Sequence, residues 1–170
     1  MTKSTEIERR FLSPAEIWQE SADEANKLFI CQGYPDSLQK DDGTGRVRST
    51  LQPDGSILFE QTVKGVMIGL STPEDEYEVQ KSTFTQLMQE AGIQNLKKWR
   101  WPILWEGVEF VVDQFTHIRN DRSDLVIAEI EFLSEAGARA FTPPTWIGRE
   151  ITGEHQWSNY SLCTAGEPSH

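Results

Sequence analysis

The amino-acid sequence predicts an α+β fold in which about eight antiparallel strands close into a barrel or pack as a sandwich, with three or four short helices outside. Three observations lead there. Most of the chain consists of strand-length runs whose charged residues recur at alternate positions. Turn chemistry of the hairpin type joins neighbouring runs, as at Gln52-Pro53-Asp54-Gly55-Ser56. Helical spacing is confined to short stretches, the clearest being Phe84, Leu87, Met88 and Ala91. At 170 residues, with no internal repeat and no low-complexity tract, the chain reads as one domain over 1–170.

The elements follow in order. Glu6-Ile7-Glu8-Arg9-Arg10 opens as a strand that sets Glu6, Glu8 and Arg10 on one face and Ile7, Arg9 and Phe11 on the other. Ser13 as N-cap, Pro14 at the first helical position and Glu16 in the first turn predict a short helix to about Ser21. Strands are expected at Lys27 to Tyr34, Gly45 to Gln52, Ile57 to Gly65 and Glu74 to Gln80. A helix capped by Ser82 and stopped by Gly92 follows. Further strands are expected at Asn95 to Leu104, Val108 to Phe115 and Leu125 to Phe132, then a short helix over Ser134 to Phe141 before Pro143-Pro144. A last helix fits Ser158 to Thr164, and the terminal AGEPSH reads as a frayed tail.

Composition narrows the function classes. The formal net charge of -11 argues against general affinity for nucleic-acid backbones or anionic membranes. No apolar run is long enough to span a bilayer, and no secretory leader pattern is present, so a cytoplasmic protein is expected. Cys31 and Cys163 stand far apart, and His117, His155 and His170 lack zinc-ligand spacing. Asp41-Asp42-Gly43-Thr44-Gly45-Arg46 lacks the Lys-Ser/Thr of a phosphate loop, precedes a strand and reads as a turn. The run Trp99, Trp101 and Trp105 reads as packing under helices, with Trp99 and Trp101 on the face opposite Lys98 and Arg100.

The charges themselves share faces. Arg46 pairs with Arg48, Glu60 with Lys64, Glu76 with Glu78, Lys98 with Arg100, Glu109 with Asp113, and Glu129 with Glu131. The opposite faces, such as Val126, Ala128, Ile130 and Phe132, are apolar and should lie under the helices. A solvated outer face would produce simple alternation. Doubled acids gain nothing from each other on such a surface, because like charges about 6–7 Å apart repel. If the charged face points inward, the lumen offers carboxylates for hard divalent ions and cations for phosphate oxygens. Among small polyanions, triphosphate uses such a lumen best.

The ordered motifs resemble those of the CYTH domains, the triphosphate tunnel metalloenzymes, over nearly the whole chain. Glu6-Ile7-Glu8-Arg9-Arg10 resembles the signature E-x-E-x-K, with Arg10 where lysine is usual. Arg46-Val47-Arg48, Thr62-Val63-Lys64-Gly65, Glu76-Tyr77-Glu78, Lys98-Trp99-Arg100 and Ala128-Glu129-Ile130-Glu131-Phe132 resemble the successive tunnel strands. Trp146 to Thr152 and Trp157-Ser158-Asn159 resemble the C-terminal segment of the bacterial inorganic triphosphatase-like branch. Val111 stands where some relatives carry another acid.

The resemblance implies an antiparallel eight-stranded barrel forming a charged tunnel. It implies Mg²⁺ or Mn²⁺ held by Glu6, Glu8, Glu129 and Glu131 with Asp113 nearby, and phosphate held by Arg10, Arg46, Arg48, Lys64, Lys98 and Arg100. Lys98, which a cationic tunnel could bring toward neutrality, and Glu131 are the implied catalytic residues. Arg10 can clamp but cannot act as a base, since arginine stays protonated. The expected activity is metal-dependent hydrolysis of inorganic triphosphate to pyrophosphate and phosphate. A class IV type adenylate cyclase, a nucleoside or thiamine triphosphatase, and a non-catalytic polyphosphate-binding module are the alternatives. The expected partner is a small polyphosphate, with neither nucleic acid nor membrane, and a homodimer is left open.

Overall fold

A strand that alternates charged and apolar residues must bury one face, and here the sheet does so by curling on itself. The structure, a computed structural model, describes residues 2–12 and 14–168. Its strands are β1 (Thr2–Leu12), β2 (Leu28–Gly33), β3 (Gly43–Leu51), β4 (Ile57–Gly65), β5 (Ser71–Glu78), β6 (Asn95–Trp105), β7 (Val108–Ile118), β8 (Asp121–Arg122), β9 (Val126–Glu131) and β10 (Arg149–Glu150). The helices are α1 (Lys81–Ala91), α2 (Glu135–Ala140) and α3 (Asn159–Thr164), joined by 3-10 turns at Glu16–Ser21, Asp36–Leu38 and His155–Trp157.

Around the barrel the antiparallel order is β1-β5-β4-β3-β2-β6-β7-β9, and β9 pairs with both β7 and β1. That double pairing decides for a closed barrel over a sandwich and leaves those strands no free edge. β8 and β10, two residues each, were not anticipated; they add short pairings beside β7 and β1.

Two apolar clusters hold the wall. On the outer face of β1, β6, β7 and β9, residues such as Phe11, Trp101, Phe110 and Ile130 are buried under Trp18 of the first 3-10 turn and under Trp146 and Ile147. Trp18 and Trp101 meet with ring centroids 5.9 Å apart, so the tryptophan run is packing, as expected. Each such side chain, fully buried, contributes about 1.5–3 kcal/mol. Inside one end of the barrel, Leu12, Leu96, Phe115 and Ile127 receive Leu162 and Cys163 of α3. The C-terminal helix therefore seals part of that end.

Some elements differ from expectation. Helix α1 begins two residues earlier than a Ser82 cap would allow: Gln80 is the extended N-cap residue, and its side chain makes no capping bond. Gly92 ends α1 with φ +55°, a conformation costly for side-chain residues. Gly33 lets α1 lie directly on β2, since a Cβ there would fall 2.7 Å from the Met88 sulfur and 2.9 Å from the Ala91 Cβ. The first predicted helix is a 3-10 turn, Glu16–Ser21. The cap assigned to Ser13, His170 and the last two residues of the tail lie outside the described residues. Ser134 and Ser158 do cap α2 and α3 by accepting from the Gly137 and Ser161 amides. Among the described residues, no helix is long and apolar enough to cross a membrane.

Candidate active site

The inward face of the barrel encloses a cavity of about 880 Å³. Register explains who meets whom. Directly opposed residues of an antiparallel pair share a face, so pairing Glu8 with Glu131 and Arg10 with Glu129 carries the charges of β1 onto those of β9. Pairing Lys64 with Glu74 and Arg48 with Glu60 does the same on the opposite wall. Glu6, Glu8, Arg10, Arg46, Arg48, Lys64, Arg100, Glu129 and Glu131 all line the cavity. Glu78 and Glu109, on the same strand faces, do not; both are exposed.

Lys98 and Asp113 lie beneath the cavity wall. Asp113 is fully buried and Lys98 is 1% exposed. The Lys98 ammonium donates to Asp113 Oδ2 at 2.5 Å, and Arg100 donates through Nε to Oδ1 and through Nη2 to Oδ2, both at 2.8 Å. Burial pushes the Asp113 carboxyl up, but the charges of Arg100 and Lys98 win and hold it well below the usual carboxylate range. Burial, together with the Arg100 charge, brings the Lys98 ammonium down to about 8 although Asp113 opposes the shift. Arg100 continues outward, donating to Glu129 at 3.0 Å, and Glu129 accepts from Arg10 at 3.0 Å. A continuous ionic chain thus runs from buried Asp113 to the β1 wall.

The β3-β4-β5 wall is likewise paired but wetter. Arg48 donates to Glu60 at 2.7 Å and to Glu76 at 3.3 Å, while Arg46 reaches Glu74 at 3.5 Å. Lys64 donates to Glu6 and lies 3.4 Å from Glu74. Burial pushes Glu6 up, but its ammonium partner and then Arg46 bring it below its ordinary value.

Glu8 and Glu131 are different. Among the described residues neither carboxylate forms an ion pair within 4 Å. Burial first, then the neighbouring charge of Glu129, pushes Glu8 up to about 7 despite Arg10. Glu131 is raised by burial and then by Glu6 and Glu129. Carboxylates raised in this way by Glu129 and Glu6 would be stabilised by an added cation, and all-oxygen donors suit Mg²⁺ or Mn²⁺. Among the described residues no three acidic, histidine or cysteine side chains converge closely enough to hold an ion by themselves.

Among the described residues, two guanidinium nitrogens are buried without hydrogen-bond partners, Nη2 of Arg10 and Nε of Arg46. Both residues line the cavity. An anion in the lumen would supply the missing acceptors. The sequence reading did not assign Tyr34, Glu74, Thr152 or Tyr160 to the site, yet all four line it. Glu74 could have been found from its spacing with Glu76. Tyr34 and Tyr160, with ring centroids 5.4 Å apart, come together only because α3 enters the barrel end.

No family model matches the chain. Over 161 residues, 94% of this chain and 97% of the relative, it is 32% identical to the inorganic triphosphatase of Nitrosomonas europaea. It is also 32% identical over 160 residues to the inorganic triphosphatase of Acetivibrio thermocellus, covering 92% of each chain. The crystal structure of the inorganic triphosphatase NE1496 superposes with a TM-score of 0.61 at 28% identity, covering 92% of this chain and 96% of that one. The Hippeastrum protein HpAC1, at 14% identity and a TM-score of 0.61 over 97% of both chains, shows the shared fold alone. Identity that runs almost end to end through two relatives, on the same closed barrel, makes this chain a member of the inorganic triphosphatase family.

Proposed function

We propose that the protein hydrolyses inorganic triphosphate to pyrophosphate and phosphate inside the barrel, with Mg²⁺ or Mn²⁺ as cofactor. One observation carries this reading: a closed lumen in which clamping cations face an unpaired Glu8–Glu131 carboxylate pair. The names of the relatives and the resemblance to CYTH tunnel metalloenzymes support it.

Arg46, Arg48, Lys64 and Arg100 would hold phosphate oxygens. Each is already oriented by wall carboxylates, so positioning is prepared before the substrate arrives. Arg10 and Arg46 would satisfy their open nitrogens on the same anion. Glu8 and Glu131, with Glu6 and Glu129 beside them, would hold the divalent ion. When bound, the ion neutralises phosphate charge and activates water toward the terminal phosphorus. The bond from that phosphorus to its bridging oxygen breaks, the oxygen of water takes its place, and pyrophosphate leaves. Asp113, with both oxygens engaged by Arg100 and Lys98, would serve by fixing Arg100 instead of binding metal. Lys98 would act through Asp113 as a positioning residue, not as a base on substrate.

The test measures phosphate release from inorganic triphosphate, ATP and thiamine triphosphate, each with Mg²⁺, with Mn²⁺ and with a chelator. Release from inorganic triphosphate that stops on chelation is expected. Cyclic AMP from ATP, or binding of triphosphate without turnover, would replace this reading with a cyclase or a binding module.

A further inference from the structure

We propose that Arg10 ties the C-terminal segment to the substrate cavity, so that a polyphosphate in the lumen tightens residues 151–163; this rests on the reading of the cavity as a triphosphate site. Arg10 spreads its contacts unusually widely. Its backbone N–H donates to Thr152 Oγ1 at 3.0 Å, and its carbonyl accepts from the Ile151 amide at 2.8 Å. Its guanidinium donates through Nε to Glu129 at 3.0 Å and through Nη1 to the Trp157 carbonyl at 3.1 Å. Nη2 is buried and without a partner, and Arg10 is among the residues that line the cavity.

One side chain therefore has three directions: the acidic wall, the C-terminal segment and the lumen. The planar fork of arginine can serve all three at once, each through a different nitrogen, whereas a lysine has a single nitrogen to place. The segment it holds is the one that inserts Trp157, Leu162 and Cys163 into the barrel end. A phosphate oxygen accepting from Nη2 would fix the guanidinium plane and, through Nη1, the Trp157 carbonyl. By linkage, whatever the ordered segment adds to polyphosphate affinity, polyphosphate returns as protection of the segment.

Amide hydrogen exchange on the full chain, with and without inorganic triphosphate, tests this. In the wild type, exchange over 151–163 is expected to slow by about tenfold on adding triphosphate. In Arg10→Lys the same segment should respond by less than about twofold, although β3 and β4, which carry other clamping cations, remain protected by triphosphate. The wild-type measurement stands alone if Arg10→Lys does not fold. Protection of β3 and β4 without any change over 151–163, or equal protection of that segment in both proteins, overturns the coupling. Triphosphate that protects nothing and is not hydrolysed overturns the function reading, and the coupling with it.

Discussion

Asp113 and Glu8 are both carboxylates on the inward face of neighbouring parts of one barrel, yet they meet opposite fates. Asp113 sits where β6 faces β7 and receives three charge-assisted hydrogen bonds from Lys98 and Arg100. Glu8 sits where β1 faces β9, and its direct cross-strand partner is another carboxylate, Glu131. One region is saturated and buried; in the other, among the described residues, neither carboxylate forms an ion pair, and burial and neighbouring acids push Glu8 up to about 7. The difference shows that charge in a lumen has two uses. Paired charge fixes geometry, and unpaired charge marks where an ion from outside belongs.

Asp113→Asn should have the largest effect. Removing one charge of a buried ionic group strands the others, so a loss of about 3–5 kcal/mol in chemical unfolding is expected. A stability unchanged by this substitution would mean that the buried triad does not hold the wall. The next largest effect belongs to Glu131→Gln, which should lower Mg²⁺-dependent triphosphate turnover by about 100-fold. Here the metal-free melting temperature should stay level or rise, because a repelling charge has been removed. A fall in both stability and turnover would place Glu131 with Asp113 instead of opposite it.

The two regions also predict opposite responses to pH. Glu8 is raised from 4.5 to about 7, so it favours the folded state fully below 4.5 and loses that contribution as pH rises through about 7. The melting temperature of the metal-free protein should therefore fall between about pH 5 and about pH 8, and Glu8→Gln should flatten that slope. Asp113 is depressed, so its contribution is present above 3.8 and is lost only as pH falls through its lower folded value. Acid unfolding, followed by circular dichroism, should move toward neutral pH in Asp113→Asn. The smallest effect is reserved for an exposed pair outside the lumen: Arg139 lies 3.1 Å from Glu135 on the surface of α2. Arg139→Gln should change neither melting nor turnover measurably, since exposed pairs contribute little.

Much of the site was legible because alternation is local. A period of two assigns Glu6, Glu8, Arg10, Arg46, Arg48, Arg100, Glu129 and Glu131 to one face without knowledge of any neighbour, and the barrel brings these residues to one cavity. Lys98 shows where that logic ends. It shares the face of Arg100 and stands opposite Phe115 in the same register that sets Arg100 opposite Asp113, yet its ammonium is buried on Asp113 instead of lining the cavity. Tyr160 was out of reach for another reason, because its helix has no strand period and its place depends on Leu162 and Cys163 filling the barrel end.

Which side chains share a strand face, where hairpins turn and which apolar stripe must be covered are all consequences of backbone geometry over a few residues. Only the tertiary structure decided that the charged face looks inward, that Asp113 is matched while Glu8 meets Glu131, and that Arg10 reaches the Trp157 carbonyl. Glu8 meets Glu131 and Arg10 meets Trp157 across more than a hundred positions, and even the Asp113 contacts, 13 and 15 positions long, follow from hairpin register; chain-local periodicity contains no information about which strand will lie alongside.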